Sequence, residues 1–236
     1  MRLDKFLSET ATATRSEAGK AARGGRILVN GLPCKDASCH IDPERDDIVY
    51  CGERVVYKKY VYIMLNKPEG YVSATEDGRD KTVLELLPER LRSLSLFPCG
   101  RLDKNTTGLM LLTNNGELGH KLLAPKSHVS KTYRFKVMEA LSAEDVERLE
   151  GGVYIAGGYL TKPAEIKLYD SLTEGEITIT EGKYHQIKYM LEAVKNKITE
   201  LERISFGPLK KDESLPLGKW RYLTDSEEKE LVDHCK

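Results

Sequence analysis

The chain has 236 residues, with 37 Lys and Arg against 37 Asp and Glu, so its formal net charge is zero. With 31% charged and 40% hydrophobic residues it reads as a globular soluble protein, which excludes a disordered tail. No apolar run reaches the length of a membrane span and the N-terminus is charged from its second residue, so no signal peptide is expected and the cytoplasm is the default compartment.

The five cysteines form an odd number without a CxxC pair and are expected as reduced thiols. Cys34, Cys39, His40 and Cys51 lie close in sequence but lack the paired spacing of a zinc site, so no metal is expected. The zero net charge conceals a segregation. Residues 1–35 carry seven basic side chains against three acidic ones, and residues 36–53 carry six acidic against one basic. Such a basic stripe backed by acidic turns is a face that could meet phosphates.

The segment "RLDKFLSETATATRSEAGKAARGGRILVNG" predicts helix, turn, helix, strand. Leu3, Phe6 and Leu7 fall at helical spacing, and Ala18, Ala21 and Ala22 give the second helix a small-residue face that ends at Gly24-Gly25. Ile27 to Val29 is a short strand closed by an Asn30-Gly31 turn. Arg15, Lys20, Arg23 and Arg26 then lie along the second helix and the loop after it. Charge alone would make them a solvated helix face.

The polar stretch "CGERVVYKKY" leads to a domain boundary near Lys59, dividing the chain into 1–59 and 60–236. "VYIMLNKPEGYVSA" predicts a buried strand and a loop, and "DKTVLELLPERL" a short helix stopped by Pro88. "LFPCGRLDKNTTGLMLLTNNGELGHKLLAP" gives a loop, a strand from Leu109 to Leu112, a turn and a helix ended by Pro125. "SKTYRFKVME" alternates Tyr133, Phe135 and Val137 on one face of a strand, and Ser142 with Asp145 caps the helix after it. "AEIKLYD" and "EGEITIT" form a hairpin pair, and "KYHQIKYMLEAV" is a core-packed helix with Ile187, Met190, Leu191 and Val194 inward. A strand near Ile198 to Ile204, a last strand at "WRYL" and a capped C-terminal helix complete the chain. The predicted class is α+β, a small helical and hairpin domain followed by a mixed, largely antiparallel sheet.

No phosphate-binding glycine loop, dinucleotide fingerprint, zinc-protease helix or nucleophile elbow is present, so the chemistry rests on side chains. Asp103, in "GRLDKNTTGLMLLTNNGEL", sits in a loop ahead of a buried strand, where reactive groups are commonly held. From the residues alone, a local cap or an ion pair with Arg101 or Lys104 is the readier account of it. Two other stretches bear on it: Tyr133 beside Lys131, and "EGKYHQIKYM", which gathers Lys183, His185, Gln186 and Lys188 at a helix start.

"RLDKFL" and "TRSEAGKAARGGRILVNG" resemble the S4 RNA-binding domain over about the first 55 residues. The GRLD segment, "KTYRFKV", "EGKYHQIKYML", "NKPEGYVSA" and "ISFGPLKKDESLPLGKWRYLT" closely resemble motifs of pseudouridine synthases. An S4 domain ahead of this catalytic domain, with the Tyr184-His185-Gln186 form of the third motif, is similar to the ribosomal small-subunit, RsuA-like group. The resemblance implies an isomerase that converts a uridine, most simply in small-subunit (16S) rRNA, without cofactor or metal. The alternatives are a large-subunit (23S) synthase or a non-catalytic S4-type ribosome-assembly factor. A glycosidase would need a second carboxylate, for which only Glu117 offers itself.

The same resemblance implies Asp103 as the catalytic carboxylate, Tyr133 stacked on the flipped base, and Lys188 as the cation beside Asp103, where many relatives carry arginine. It also implies RNA contacts from Arg15, Lys20, Arg23, Arg26, Arg101, Lys131, Lys183, His185 and Gln186. The implied partner is rRNA in an assembling small subunit.

Overall fold

The computed structural model describes residues 1–235. They fall into two compact units: Met1–Val61 with Leu87–Leu96, and Tyr62–Leu86 with the chain from Phe97 on.

The first unit opens with helices α1 (Leu3–Glu9) and α2 (Arg15–Arg23). Thr14 starts α2 with a reciprocal cap, its Oγ1 accepting from the Glu17 N–H while the Glu17 carboxylate accepts from the Thr14 N–H at 2.8 Å. Ala18, Ala21 and Ala22 are fully buried in one cluster with Leu3, Phe6 and Leu7. Strands β1 (Ile27–Val29), β2 (Leu32–Pro33), β3 (Ile48–Tyr50) and β4 (Glu53–Val55) form a sheet in the order β2-β1-β3-β4. The turn between β1 and β2 has Asn30 and Gly31 both left-handed, at φ 52° and 79°, as a two-residue hairpin requires. The Asn30 side chain adds to the lock by accepting from the Asp47 N–H and donating to Asp46. The sequence reading did not foresee β4, because its exposed Glu53 and Arg54 lack the apolar alternation of a strand.

The second unit begins with β5 (Tyr62–Lys67), buried along its whole length. A 3₁₀ turn follows at Val83–Leu86, and α3 (Glu89–Arg92) lies in the segment that clusters with the first unit. The helix expected to stop at Pro88 forms only as that 3₁₀ turn, which ends at Leu86, and Pro88 is also the N-cap of α3, where a missing N–H costs nothing. Strand β6 (Phe97–Cys99) lies where a loop was expected, because pairing with the next strand satisfies its backbone.

Strand β7 (Thr107–Thr113), α4 (Gly116–Leu123), β8 (Lys131–Val137) and α5 (Ala143–Gly151) come next, with the Ser142–Asp145 cap formed as expected. A small hairpin of β9 (Tyr154–Ile155) and β10 (Tyr159–Leu160) precedes β11 (Glu165–Leu168) and β12 (Glu174–Ile179). The chain closes with α6 (Gln186–Ala193), β13 (Ile198–Phe206), β14 (Leu209–Lys210), β15 (Trp220–Tyr222) and α7 (Asp225–Asp233).

The sheet runs β11-β12-β8-β13-β7-β5-β15, with β14 on β13 and β6 on β7. Its β13–β7 pair is parallel and its other pairs are antiparallel, so the α+β class with a mixed, largely antiparallel sheet is what forms.

Candidate active site

The register places four residues in a row across the middle of the sheet. Lys67 on β5 pairs with Gly108 on β7, Gly108 with Arg203 on β13, and Arg203 with Tyr133 on β8. Residues directly opposite in a ladder share a face, so Lys67, Arg203 and Tyr133 lie on one side of the sheet. Gly108 has φ +99°, and a Cβ there would stand 2.3 Å from the Arg203 carbonyl oxygen. Only glycine lets the parallel seam close at this point.

The loop of residues 100–106 joins β6 to β7 across this face. Lys67, 0% exposed, is its anchor. Its ammonium donates to the carbonyl oxygens of Pro68 at 3.1 Å, Asp103 at 3.0 Å, Lys104 at 3.3 Å and Thr106 at 2.7 Å. Burial pushes this ammonium down to about 8, and the Asp103 carboxylate opposes the shift. Ser73 holds the near end of the loop, its hydroxyl donating to the Leu102 carbonyl and accepting from the Leu102 N–H.

So mounted, Asp103 presents its carboxylate to the start of α6. Its Oδ2 lies 2.7 Å from Lys188 Nζ and its Oδ1 3.5 Å from His185 Nε2. Lys188 also donates to Asn105 Oδ1 at 2.8 Å, so one ammonium ties together two points of the loop. Ile187, Met190 and Leu191 are buried, which turns Lys188 and His185, three residues apart, toward the loop. His185 is the N-cap of α6 in a left-handed conformation, φ 49° and ψ 30°.

Tyr133 is 7% exposed on its strand. Arg203, 1% exposed, donates from Nε to the Leu109 carbonyl at 2.8 Å, with its guanidinium 5.0 Å from the Phe206 ring centroid. Sequence reasoning missed Lys67 and Arg203. The available signal was a basic residue at the end of the strand that opens with the apolar run "YIML", and another on the inward face of β13, in step with Leu201.

The residues expected to touch RNA divide. Arg15, Lys20, Arg23 and Arg26 are exposed in the first unit, and Arg101 and Lys183 are exposed in the second. Gln186 differs from expectation. It is 3% exposed, its amide donating to Glu181 and accepting from the Lys183 N–H, so it shapes the turn before α6 and has no surface for RNA. Lys131 is also drawn inward, donating to the Val129 carbonyl at 2.7 Å, and burial pushes its ammonium down to about 8. Glu117 is exposed in the first turn of α4 and pairs with Lys121 at 3.3 Å. Among the described residues, no three potential metal ligands cluster.

A family model described as RNA pseudouridylate synthase matches residues 61–193, and an S4 domain model matches residues 1–47. The chain is 48% identical over 231 residues to an uncharacterised RNA pseudouridine synthase of Bacillus subtilis, covering 96% of each. It is 38% identical to ribosomal small subunit pseudouridine synthase A of Escherichia coli, over 96% of this chain and 98% of the relative. A solved pseudouridylate synthase superposes with a TM-score of 0.69 at 37% identity, over 98% of this chain and 100% of that one. Likeness at this level along nearly the whole length, with both models matched in order, means that the chain belongs to the RNA pseudouridylate synthase family and carries an S4 domain at its N-terminal end.

Proposed function

We propose that this protein isomerises a uridine of small-subunit rRNA to pseudouridine, with Asp103 as its catalytic carboxylate. The observation that carries the chemistry is the Asp103–Lys188 contact of 2.7 Å on a loop pinned from below by Lys67. The substrate rests on the relatives, which include small-subunit synthases from Escherichia coli and Vibrio vulnificus at 38% and 39% identity.

The reaction breaks the bond from uracil N1 to C1′, turns the base and joins C5 to C1′, while the C5 proton leaves and N1 gains one. Atoms and electrons balance within the nucleotide, so the residues need only position, ionise and shelter the base. Asp103 supplies a carboxylate that acts at the sugar or the ring. A base docked over a carboxylate strips its water and penalises the charge, and the Lys188 ammonium offsets that penalty. A lysine serves here because the contact is a single short one, with Asn105 taking a second donor, and no planar bidentate fork is required. The target must leave its stack to reach Asp103, at a cost of a few kcal/mol, and the role we assign to the Tyr133 ring is to stack on it. Arg101 at the start of the loop fills the vacated space or holds a phosphate.

The exposed Arg15, Lys20, Arg23 and Arg26 of the S4 unit supply the sequence-independent attraction to phosphates. The working compartment is the cytoplasm, where rRNA and its assembling small subunit are met; among the described residues no helix is long and apolar enough to cross a membrane.

The test is tritium release from a [5-³H]uridine-labelled small-subunit rRNA transcript. Wild-type protein releases tritium and leaves pseudouridine at a defined position, and Asp103→Asn abolishes both while RNA affinity is nearly unchanged. Turnover retained by Asp103→Asn would overturn the assignment of Asp103, and release from a large-subunit transcript alone would overturn the substrate.

A further inference from the structure

Beside the catalytic loop stands a pair of rings with no role in the chemistry above. Tyr184 is 69% exposed, in the turn just before α6. Its ring lies face to face with that of His185, centroids 3.9 Å apart and planes at 17°. His185 in turn reaches Asp103, with Nε2 3.5 Å from Oδ1. The stacked pair therefore touches the carboxylate through the edge of His185, and its outer member, Tyr184, is largely open to solvent.

His185 also lies 6.0 Å from the Tyr189 ring, at 46°, but no core packing accounts for Tyr184. Tyr184 contributes nothing to the core, and the His185 backbone takes the left-handed conformation, which a residue with a Cβ adopts at a cost. What the turn achieves is to hold two aromatic rings in register at the mouth of the site.

We infer that the Tyr184–His185 pair is a stacking platform for the RNA base next to the target uridine. The inference rests on the isomerase reading and extends it to the neighbouring nucleotide. When a uridine turns out of its strand, the base beside it loses a stacking partner, and an exposed aromatic face replaces that partner whatever the base. The two tyrosines divide the work by burial: Tyr133 is enclosed and suits the extruded uracil, whereas Tyr184 is open and suits a base that stays in the strand. Lys183, exposed and next in sequence, has its ammonium 4.3 Å from the Tyr159 ring centroid, a cation on the same turn for the phosphate backbone to meet.

The experiment uses the full chain and two readouts. In the first, a short oligoribonucleotide carries 2-aminopurine beside its single uridine, and its fluorescence is followed on binding to Asp103→Asn protein, which needs no turnover. The platform predicts quenching that Tyr184→Ala abolishes and Tyr184→Phe keeps. In the second, steady-state kinetics on an rRNA transcript with the Asp103 wild-type background separate KM from kcat. Tyr184→Ala raises KM about ten-fold, from the loss of one base–aromatic stack, with kcat little changed, and Tyr184→Phe restores KM. Quenching that is absent in the first place or survives Tyr184→Ala overturns the inference. So does a fall in kcat at constant KM, which would mean that Tyr184 only props His185 against Asp103. Quenching in a protein that forms no pseudouridine on any rRNA transcript would instead refute the isomerase reading and leave the platform as an RNA contact.

Discussion

Replacing Lys67 by methionine separates the loop's position from the fold's stability. The substitution keeps the apolar stem and removes the ammonium that donates to four carbonyl oxygens. Two of the four keep another donor, because the Asp103 carbonyl also accepts from the Thr106 N–H and the Lys104 carbonyl from the Gly70 N–H. The Pro68 and Thr106 carbonyls lose the Lys67 donor, at about 1–3 kcal/mol each. Against that, wild type carries the penalty of a buried ammonium. A fall from 10.5 to about 8 corresponds to about 3 kcal/mol at neutral pH, which methionine does not incur. The two effects largely offset, so the net change runs from a gain of about 1 kcal/mol to a loss of about 3 kcal/mol. The loop, however, loses the group that binds it at Asp103, and a displacement of about 1 Å costs on the order of a hundred-fold in rate. Urea unfolding and single-turnover tritium release on the same Lys67→Met preparation read the two quantities apart. A folded variant that turns over at the wild-type rate would refute the claim that Lys67 positions the catalytic loop.

Three other outcomes follow from the same geometry. Lys188→Met removes a charged hydrogen bond of about 1.5–3 kcal/mol and should lower kcat roughly ten- to hundred-fold, whereas Lys188→Arg keeps most activity; initial-rate kinetics decide it. Gly108→Ala forces a Cβ to 2.3 Å from the Arg203 carbonyl oxygen at a positive φ, and should cost about 3 kcal/mol or more, read as a lowered thermal midpoint. Burial pushes Lys67 and Lys131 down to about 8 in the folded protein, from 10.5, so between those values the unfolded chain binds more protons. Folding stability from these two groups therefore rises with pH across that window, by at most about 1.4 kcal/mol per pH unit each. Denaturation curves at the two ends of the window should show a smaller gain in Lys67→Met than in wild type, and an equal gain would refute the assignment.

What was legible in the sequence was local. The Thr14–Glu17 and Ser142–Asp145 capping boxes, the Asn30-Gly31 turn and the periodicity of α6 each act within one or two turns of chain, so the residue pattern already contains their partners. The GRLD and EGKYHQIK motifs likewise pointed to Asp103 and Lys188, although nothing in their spacing says that 85 residues of chain bring them to 2.7 Å. Pro88 was read only as a helix stop, although proline also suits a helix start, and in the fold it stands between a 3₁₀ turn and α3, flanked by the buried Leu87 and Leu91.

Tertiary structure alone decided the supports. Lys67 became the loop's anchor because β5 pairs with β7, which brings its ammonium to a carbonyl 36 residues away. Arg203 entered the interior through a parallel seam with a strand 94 residues back, and the glycine that seam needs looks like any other in the sequence. Gln186 went inward and Tyr184 outward although they stand two residues apart in one polar motif. Side-chain type set what each of these residues could do, but burial and partner are properties of the sheet, fixed only when distant strands pair and leave each group either enclosed or in water.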